Sequence, residues 1–170
     1  MKRNIILVSS EYAQLALRSI STDDLENLRR WKNANRLYFF YKEIISSEDQ
    51  KHWFEGYLAR EHDYMFIVVT QDMDIGCMAF RQLETGGDVY NLILAMPEMG
   101  GHGWMGKAFH ILCSYAISKY PKRLAAKVLR DNPALGWYYR NGFRKAAEFS
   151  DYVEIELDLA QYKCCPVIEA

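Results

Sequence analysis

No stretch of the 170-residue sequence approaches the roughly 18 consecutive apolar residues needed to cross a bilayer. The opening MKRNIILVSSEYAQ holds only four apolar residues in a row, too few for a secretory signal core. The four cysteines, Cys77, Cys113, Cys164 and Cys165, form no CxxC pair and no metal-ligand spacing with the four histidines. A zinc module and a disulfide scaffold are thereby excluded, no metal site is expected, and reduced thiols in a soluble, cytoplasmic protein are the expectation. With 21 Lys and Arg against 22 Asp and Glu, the chain lacks the basic excess on which nonspecific nucleic-acid binding relies. Neither nucleic acid nor membrane is an expected partner. Proline is scarce, at four residues, and no repeat or low-complexity linker divides the chain. A single domain over residues 1–163 is expected, with a C-terminal tail at 164–170. A chain of this length can bury about 70% of its unfolded surface without a staple.

What the sequence has is aromatic content: 4 Trp, 12 Tyr and 8 Phe, 14% of the chain. Around it the periodicity alternates between strand and helix. Ile5 to Val8 and Leu15 to Arg18 predict an opening hairpin. Ser21 with Asp24 and Ser46 with Asp49 predict capped helices, the first ending near Asn35 and the second carrying Trp53, Phe54 and Tyr57. Tyr64–Thr70, Ile75–Leu83 and Val89–Ala95 read as an antiparallel meander with turns at Asp74 and Gly86–Asp88. An amphipathic helix follows over Gly103–Lys119. After it come a strand at Arg123–Leu129, a short helix at Pro133–Asn141 stopped by Gly142, and two strands within Phe143–Leu159. These elements predict a mixed sheet with helices on both faces.

The densest signal is the run from Leu92 to Ala108, where a strand gives way to Gly100-Gly101-His102-Gly103-Trp104-Met105-Gly106 and then to a helix. Glycines permit positive φ and close backbone approach, so successive N–H groups can converge beside the positive end of the new helix dipole. That arrangement suits a pyrophosphate. The sequence is neither a GxxxxGK[ST] P-loop nor a dinucleotide fingerprint with its βαβ unit and ribose-binding acid. Taken alone it fits equally a tight strand-to-helix turn.

The order of motifs resembles the GNAT superfamily of acetyl-CoA-dependent N-acetyltransferases, in the branch that includes ribosomal-protein and amino-sugar acetyltransferases. The resemblance is carried by Leu15-Ala16-Leu17-Arg18 with Thr22-Asp23-Asp24, by Arg30-Trp31-Lys32-Asn33, by Ile44-Ile45-Ser46, by His52-Trp53-Phe54 and by the Asn132 to Phe143 segment. It implies an α+β, three-layer fold: a mostly antiparallel sheet flanked by helices, with a splayed central strand pair. It implies acetyl-CoA as cofactor, bound by Leu94, Ala95 and Met96 on the splayed strand, by Gly101, His102, Gly103, Trp104, Met105, Gly106 and Lys107 in the loop, and by Asn132. The family motif Gln/Arg-x-x-Gly-x-Gly/Ala falls on Gly100-x-x-Gly103-x-Met105, where only the central glycine matches.

Family spacing from Asn132 and from Gly142 implies a thiolate-protonating tyrosine. Counting from Asn132 gives Tyr139 and counting from Gly142 gives Tyr138, with Tyr138 preferred. Asp88, Glu98 and His52 are candidate bases, each with an ordinary role as turn, surface charge or exposed helix position. The aromatics concentrated between Trp31 and Phe66 point to an acceptor wall, with Trp31, Tyr38, Phe40 and Tyr41 as substrate-binding candidates. Aromatic faces stack on sugars and nucleobases, so the expected partner is a small-molecule amine, a nucleotide-linked amino sugar first. A protein N-terminus, another small amine or a catalytically inactive binding module are the alternatives. A homodimer is left open.

Overall fold

The computed structural model describes residues 2–170. The chain runs β1 (Ile6–Val8), β2 (Leu15–Ser19), α1 (Leu25–Ala34), α2 (Ser47–Ala59), β3 (Asp63–Thr70), β4 (Met73–Leu83), β5 (Gly86–Leu94), α3 (Trp104–Lys119), β6 (Leu124–Leu129), α4 (Leu135–Arg140), β7 (Phe143–Glu148), β8 (Tyr152–Leu157) and β9 (Ile168–Glu169). The strands form one sheet in the order β7-β8-β6-β5-β4-β3-β2-β1-β9. Every neighbouring pair is antiparallel except β5 and β6. This is the mixed, mostly antiparallel α+β sheet expected from the sequence. Among the described residues no helix is long and apolar enough to cross a membrane.

Strand alternation distributes the core between the two faces. Phe66, Val68, Met78 and Phe80 turn to one side and pack with Phe109, Ile111 and Leu112 of α3. Ile67, Cys77, Ala79 and Ile93 turn to the other and pack with Leu28 of α1 and with Phe54 and Tyr57 of α2. Helix α2 begins as its sequence requires: the Asp49 N–H donates to Ser46 Oγ at 3.1 Å, and Ser46 Oγ donates to the Asp49 carboxylate at 2.7 Å. Before α1, the Ser21 N–H donates to Asp24 at 2.7 Å, and Arg18 grips the same carboxylate with two bonds of 2.8 and 2.9 Å.

Two local features shape the middle of the sheet. The β4–β5 register slips so that Cys77 faces Ile93 while Ala79 faces Tyr90, which leaves an extra residue on β5, where Asn91 adopts φ +52. Just beyond, β4 and β5 approach so closely at Gly76 that an added Cβ would lie 2.1 Å from the Ile93 carbonyl oxygen. On its other side β5 pairs with β6 only at Gly87↔Leu124 and Asp88↔Ala125, after which the strands part. That divergence is the splayed pair.

The expected tail at 164–170 is corrected. Ile168 and Glu169 pair with Val8 and Leu7, Cys165 is buried with its N–H donating to Ser114 Oγ at 3.0 Å, and the Lys163 carbonyl meets His110 Nε2 at 2.7 Å. The otherwise free edge of β1 supplies backbone partners that a two-residue strand cannot advertise in its own sequence.

Candidate active site

Where β5 and β6 part, a cleft of about 740 Å³ opens between β5, the glycine loop, α4 and the strap that joins α1 to α2. Gly101 and Gly103 both have φ +77, and Gly103 is the N-cap of α3. The first intrahelical bond runs from the Lys107 N–H to the Gly103 carbonyl at 3.0 Å. Among the described residues, the N–H groups from Gly101 to Gly106 donate to no backbone carbonyl. Six amides at a helix N-terminus therefore stand ready for an anion. An added Cβ on Gly106 would sit 3.2 Å from Asn141 Oδ1, so the start of α3 lies close against the end of α4.

Leu94, Gly101, Gly103, Trp104, Met105, Gly106 and Asn132 line the cleft, as does Gly100. Ala95, Met96, His102 and Lys107 do not. The amides of Ala95 and Met96 donate to the Ile75 carbonyl at 2.8 and 3.3 Å, which commits them to β4. Alternation along the strand then turns the backbone groups of Leu94 toward the gap. His102 is exposed, and exposed Lys107 lies over the Trp104 ring and borders a separate, shallower hollow beside Tyr12, His110 and Tyr162. Asn132 is partly committed: its Oδ1 accepts from the Ala134 N–H at 2.9 Å, and its Nδ2 donates to the Tyr38 carbonyl at 3.4 Å.

Of the two tyrosines only Tyr138 reaches the cleft; it is 8% exposed, whereas Tyr139 is 40% exposed and points elsewhere. The short helix ends at Gly142, φ +95, and neighbouring helical residues face directions about 100° apart. The Tyr138 ring packs edge-on against Phe109, Trp137 and Phe143. Its hydroxyl has no hydrogen-bond partner among the described residues and is not sealed from the cleft. Burial pushes its pKa up, so it stays protonated.

Tyr38, Phe40 and Tyr41 of the strap line the cleft, and Phe40 meets Tyr152 edge-on at 5.4 Å. Trp31 is corrected: it packs against the core beneath α1, because α1 turns that face inward. Of the candidate bases, Asp88 lines the cleft; burial raises its pKa although Arg81 Nε bonds it at 2.9 Å. Glu98 and His52 are outside, His52 being exposed on α2 and 3.7 Å from Glu55.

The structure adds residues absent from the sequence-based set. Lys32 of α1 bonds Asn91 Oδ1 and sits 3.4 Å over the Phe39 ring, and burial pulls its pKa down to about 8. Arg81 stacks 4.5 Å over the Tyr90 ring, and the Tyr90 hydroxyl donates to the buried carboxylate of Asp63, which Arg60 Nε also bonds at 2.8 Å. Lys127 projects from β6. Neither Lys32 nor Lys127 forms an ion pair among the described residues. The sequence signal for two of them was a charge inside an apolar strand, Arg81 in MDIGCMAFRQL and Lys127 in LAAKVL.

A bulged, splayed strand that runs through a ring of free amides into a helix is the geometry implied by the motif order, and the model for the acetyltransferase (GNAT) domain matches residues 14–144. The chain belongs to the GNAT acetyltransferase family. It is an acetyltransferase, and its acyl donor is acetyl-CoA, to which the free amides and the gap beside Leu94 are suited. No curated protein matches the chain in sequence. Among solved structures, GNAT neighbours share the fold at low identity. Spermidine N-acetyltransferase from Vibrio cholerae, in complex with CoA and spermine, superposes with a TM-score of 0.72 at 20% identity, covering 85% of this chain and 95% of that one. FdhC, a nucleotide-linked sugar GNAT, gives 0.71 at 16%, covering 92% and 90%. RimL, the ribosomal L7/L12 alpha-N-protein acetyltransferase, in complex with CoA, gives 0.69 at 20%, covering 89% and 94%.

Proposed function

We propose that this GNAT enzyme acetylates the primary amine of a nucleotide-linked amino sugar. The observation that carries the reading is the charge of the acceptor end. Lys32, Arg81 and Lys127 line it, and Asp88 is the sole carboxylate among the described lining residues. Such a wall repels a polyamine and attracts an acceptor that brings its own negative charge, as a diphosphate linkage does. Tyr38, Phe40 and Tyr41 beside it offer flat faces for a base or a sugar ring.

Each residue then has a stated task. The amides of Gly101 to Gly106 hold the donor's pyrophosphate, and the gap beside Leu94 takes its arm. Acetyl-CoA, when bound, supplies an acyl group already activated as a thioester. The Leu94 N–H offers a donor to carbonyl oxygen, where negative charge grows. Tyr138 donates its phenolic hydrogen bond toward the sulfur; with its pKa raised it steadies the departing thiolate as a donor and does not end ionised. Asp88 orients the acceptor's neutral amine, Arg81 holds that carboxylate in place, and the proton that nitrogen sheds on forming the amide ends on the departing thiolate.

A thiol-release assay across diphosphonucleoside amino sugars, free amino sugars, spermidine and N-terminal peptides tests the acceptor. The nucleotide-linked sugars should exceed the free sugars in kcat/KM by about a hundredfold, a difference of about 2.7 kcal/mol. Turnover of spermidine or of a peptide at equal or greater efficiency overturns the reading.

A further inference from the structure

The fold delivers the amine of Lys32 into the cleft beside the bulge of β5. Its Nζ is held by Asn91 Oδ1, at the bulge itself, and lies near Cys77, whose register partner is Ile93. It therefore overhangs the Asn91 to Ile93 stretch, immediately before Leu94. The Phe39 ring covers it from the strap. Of the charged groups that line the cleft, Asp88 is tied to Arg81, and no carboxylate lies within ion-pair distance of Nζ among the described residues. A lysine that served only to carry charge into solvent would need neither the aromatic lid nor the amide tether. Both keep an amine nitrogen in a fixed position in the cleft, beside the strand that leads to Leu94.

We propose that Lys32 is itself an acetyl acceptor: when no substrate amine is bound, its ε-amino group takes the acetyl group from acetyl-CoA. The Nζ lone pair forms the new C–N bond, the thioester C–S bond breaks, and the sulfur leaves with that electron pair. The proton shed by Nζ ends on the thiolate, so free amine and thioester become N-acetyl-lysine and CoA thiol. The product amide keeps one N–H for Asn91 Oδ1. Modification removes one of the three cations of the acceptor end, so the idle enzyme loses affinity for an anionic acceptor. The inference rests on the donor half of the function proposed above and is independent of the acceptor's identity.

The chemistry has a measurable signature. With burial holding Lys32 near a pKa of about 8, about a quarter of it is free amine at pH 7.5, against about one part in a thousand for an ordinary lysine. Of the groups packed against Nζ, Cys77 on β4, Asn91 Oδ1 and the Phe39 ring all favour the ammonium, so burial is what supplies the free amine. The experiment incubates the purified protein with acetyl-CoA alone and follows each lysine by peptide mass spectrometry. Lys32 should gain an acetyl group at least about tenfold faster than exposed Lys42 and Lys51, with a rate that levels off above about pH 8 while theirs continues to climb. A Lys32 rate equal to theirs, or unchanged after unfolding in urea, overturns the proposal. Uridine diphosphate added in a parallel arm separates the two readings. Slower labelling of Lys32 supports both. Fast labelling without such protection upholds Lys32 as acceptor and counts against the anionic substrate, whereas turnover of a nucleotide-linked sugar with Lys32 never modified does the reverse.

Discussion

Replacing Tyr138 by Phe separates chemistry from packing unusually well at this site. The hydroxyl bonds to nothing among the described residues, so its loss removes no hydrogen bond from the fold. The ring's contacts with Phe109, Trp137 and Phe143, at centroid distances of 5.8, 5.3 and 5.8 Å, survive intact. Stability should therefore stay within about 0.5 kcal/mol of the parent, as for a change that leaves packing and partners untouched. Removing a positioned hydrogen-bond donor to the departing thiolate should lower kcat about a hundredfold, while the acetyl-CoA dissociation constant stays the same. Tyr139→Phe, 40% exposed and outside the cleft, is the matched control and should turn over normally. Steady-state kinetics, calorimetry with CoA and thermal melts on both variants make the comparison. A Tyr138→Phe enzyme with more than half the parental kcat refutes the role, as does a loss of activity matched by a comparable loss at Tyr139.

Gly76→Ala should destabilise the fold by about 2–4 kcal/mol, or leave the protein insoluble, because the added Cβ meets the Ile93 carbonyl oxygen at 2.1 Å; a chemical denaturation curve reads it. Met105→Ala should cost about 1 kcal/mol of stability but leave CoA affinity unchanged, since the anion contacts come from the main chain, and calorimetry checks the second half. Lys127→Gln should reduce kcat/KM for a nucleotide-linked sugar about fivefold at low salt, and the deficit should shrink as salt is added because Lys127 is exposed. Burial pushes Asp24 up, but the bonds from Arg18 and Ser21 outweigh it and hold its pKa below the usual 3.8. The stability this carboxylate contributes is therefore complete above pH 3.8 and is lost as pH falls below it toward the depressed folded value. Asp24→Asn should accordingly be less stable than the parent by about 2 kcal/mol at pH 7, with the gap closing in acid urea titrations.

The elements were legible in the sequence wherever a periodic face met a local stop. The α2 cap at Ser46, the Gly142 end of α4 and the apolar runs of β3 and β4 all appear at the expected places, because each depends on residues within a few positions of one another. The segment at 164–170 was not legible, since its order comes from the edge of β1 and from Ser114, more than fifty residues away in the chain. The site divides in the same way. The glycine loop announced its free amides through composition. Ala95 and Met96 fell out because a hydrogen bond to Ile75, on another strand, decides which amides point into the gap. Lys32 stood in the sequence only as part of Arg30-Trp31-Lys32-Asn33, and only the fold brings Phe39 and Asn91 onto it. Choosing between Tyr138 and Tyr139 needed a direction in space, which two disagreeing spacings did not contain.

The brief contact between β5 and β6 gives the sheet an unusual mechanics. Gly87 and Asp88, paired with Leu124 and Ala125 and bonded to the Arg123 carbonyl, form the ladder seam between a six-strand leaf from β5 to β9 by way of β1 and a three-strand leaf of β6, β8 and β7. Helix α3 touches β2, β3 and β4 on one leaf and β6 on the other, so it splints the back of that seam and leaves the front free. Any wedge motion therefore opens toward α1 and α2, the side on which the aromatic strap lies. A donor held in that gap would take up strand groups that no ladder bond uses and would tie the two leaves, so CoA should raise the melting temperature of the whole chain and not merely quiet a loop.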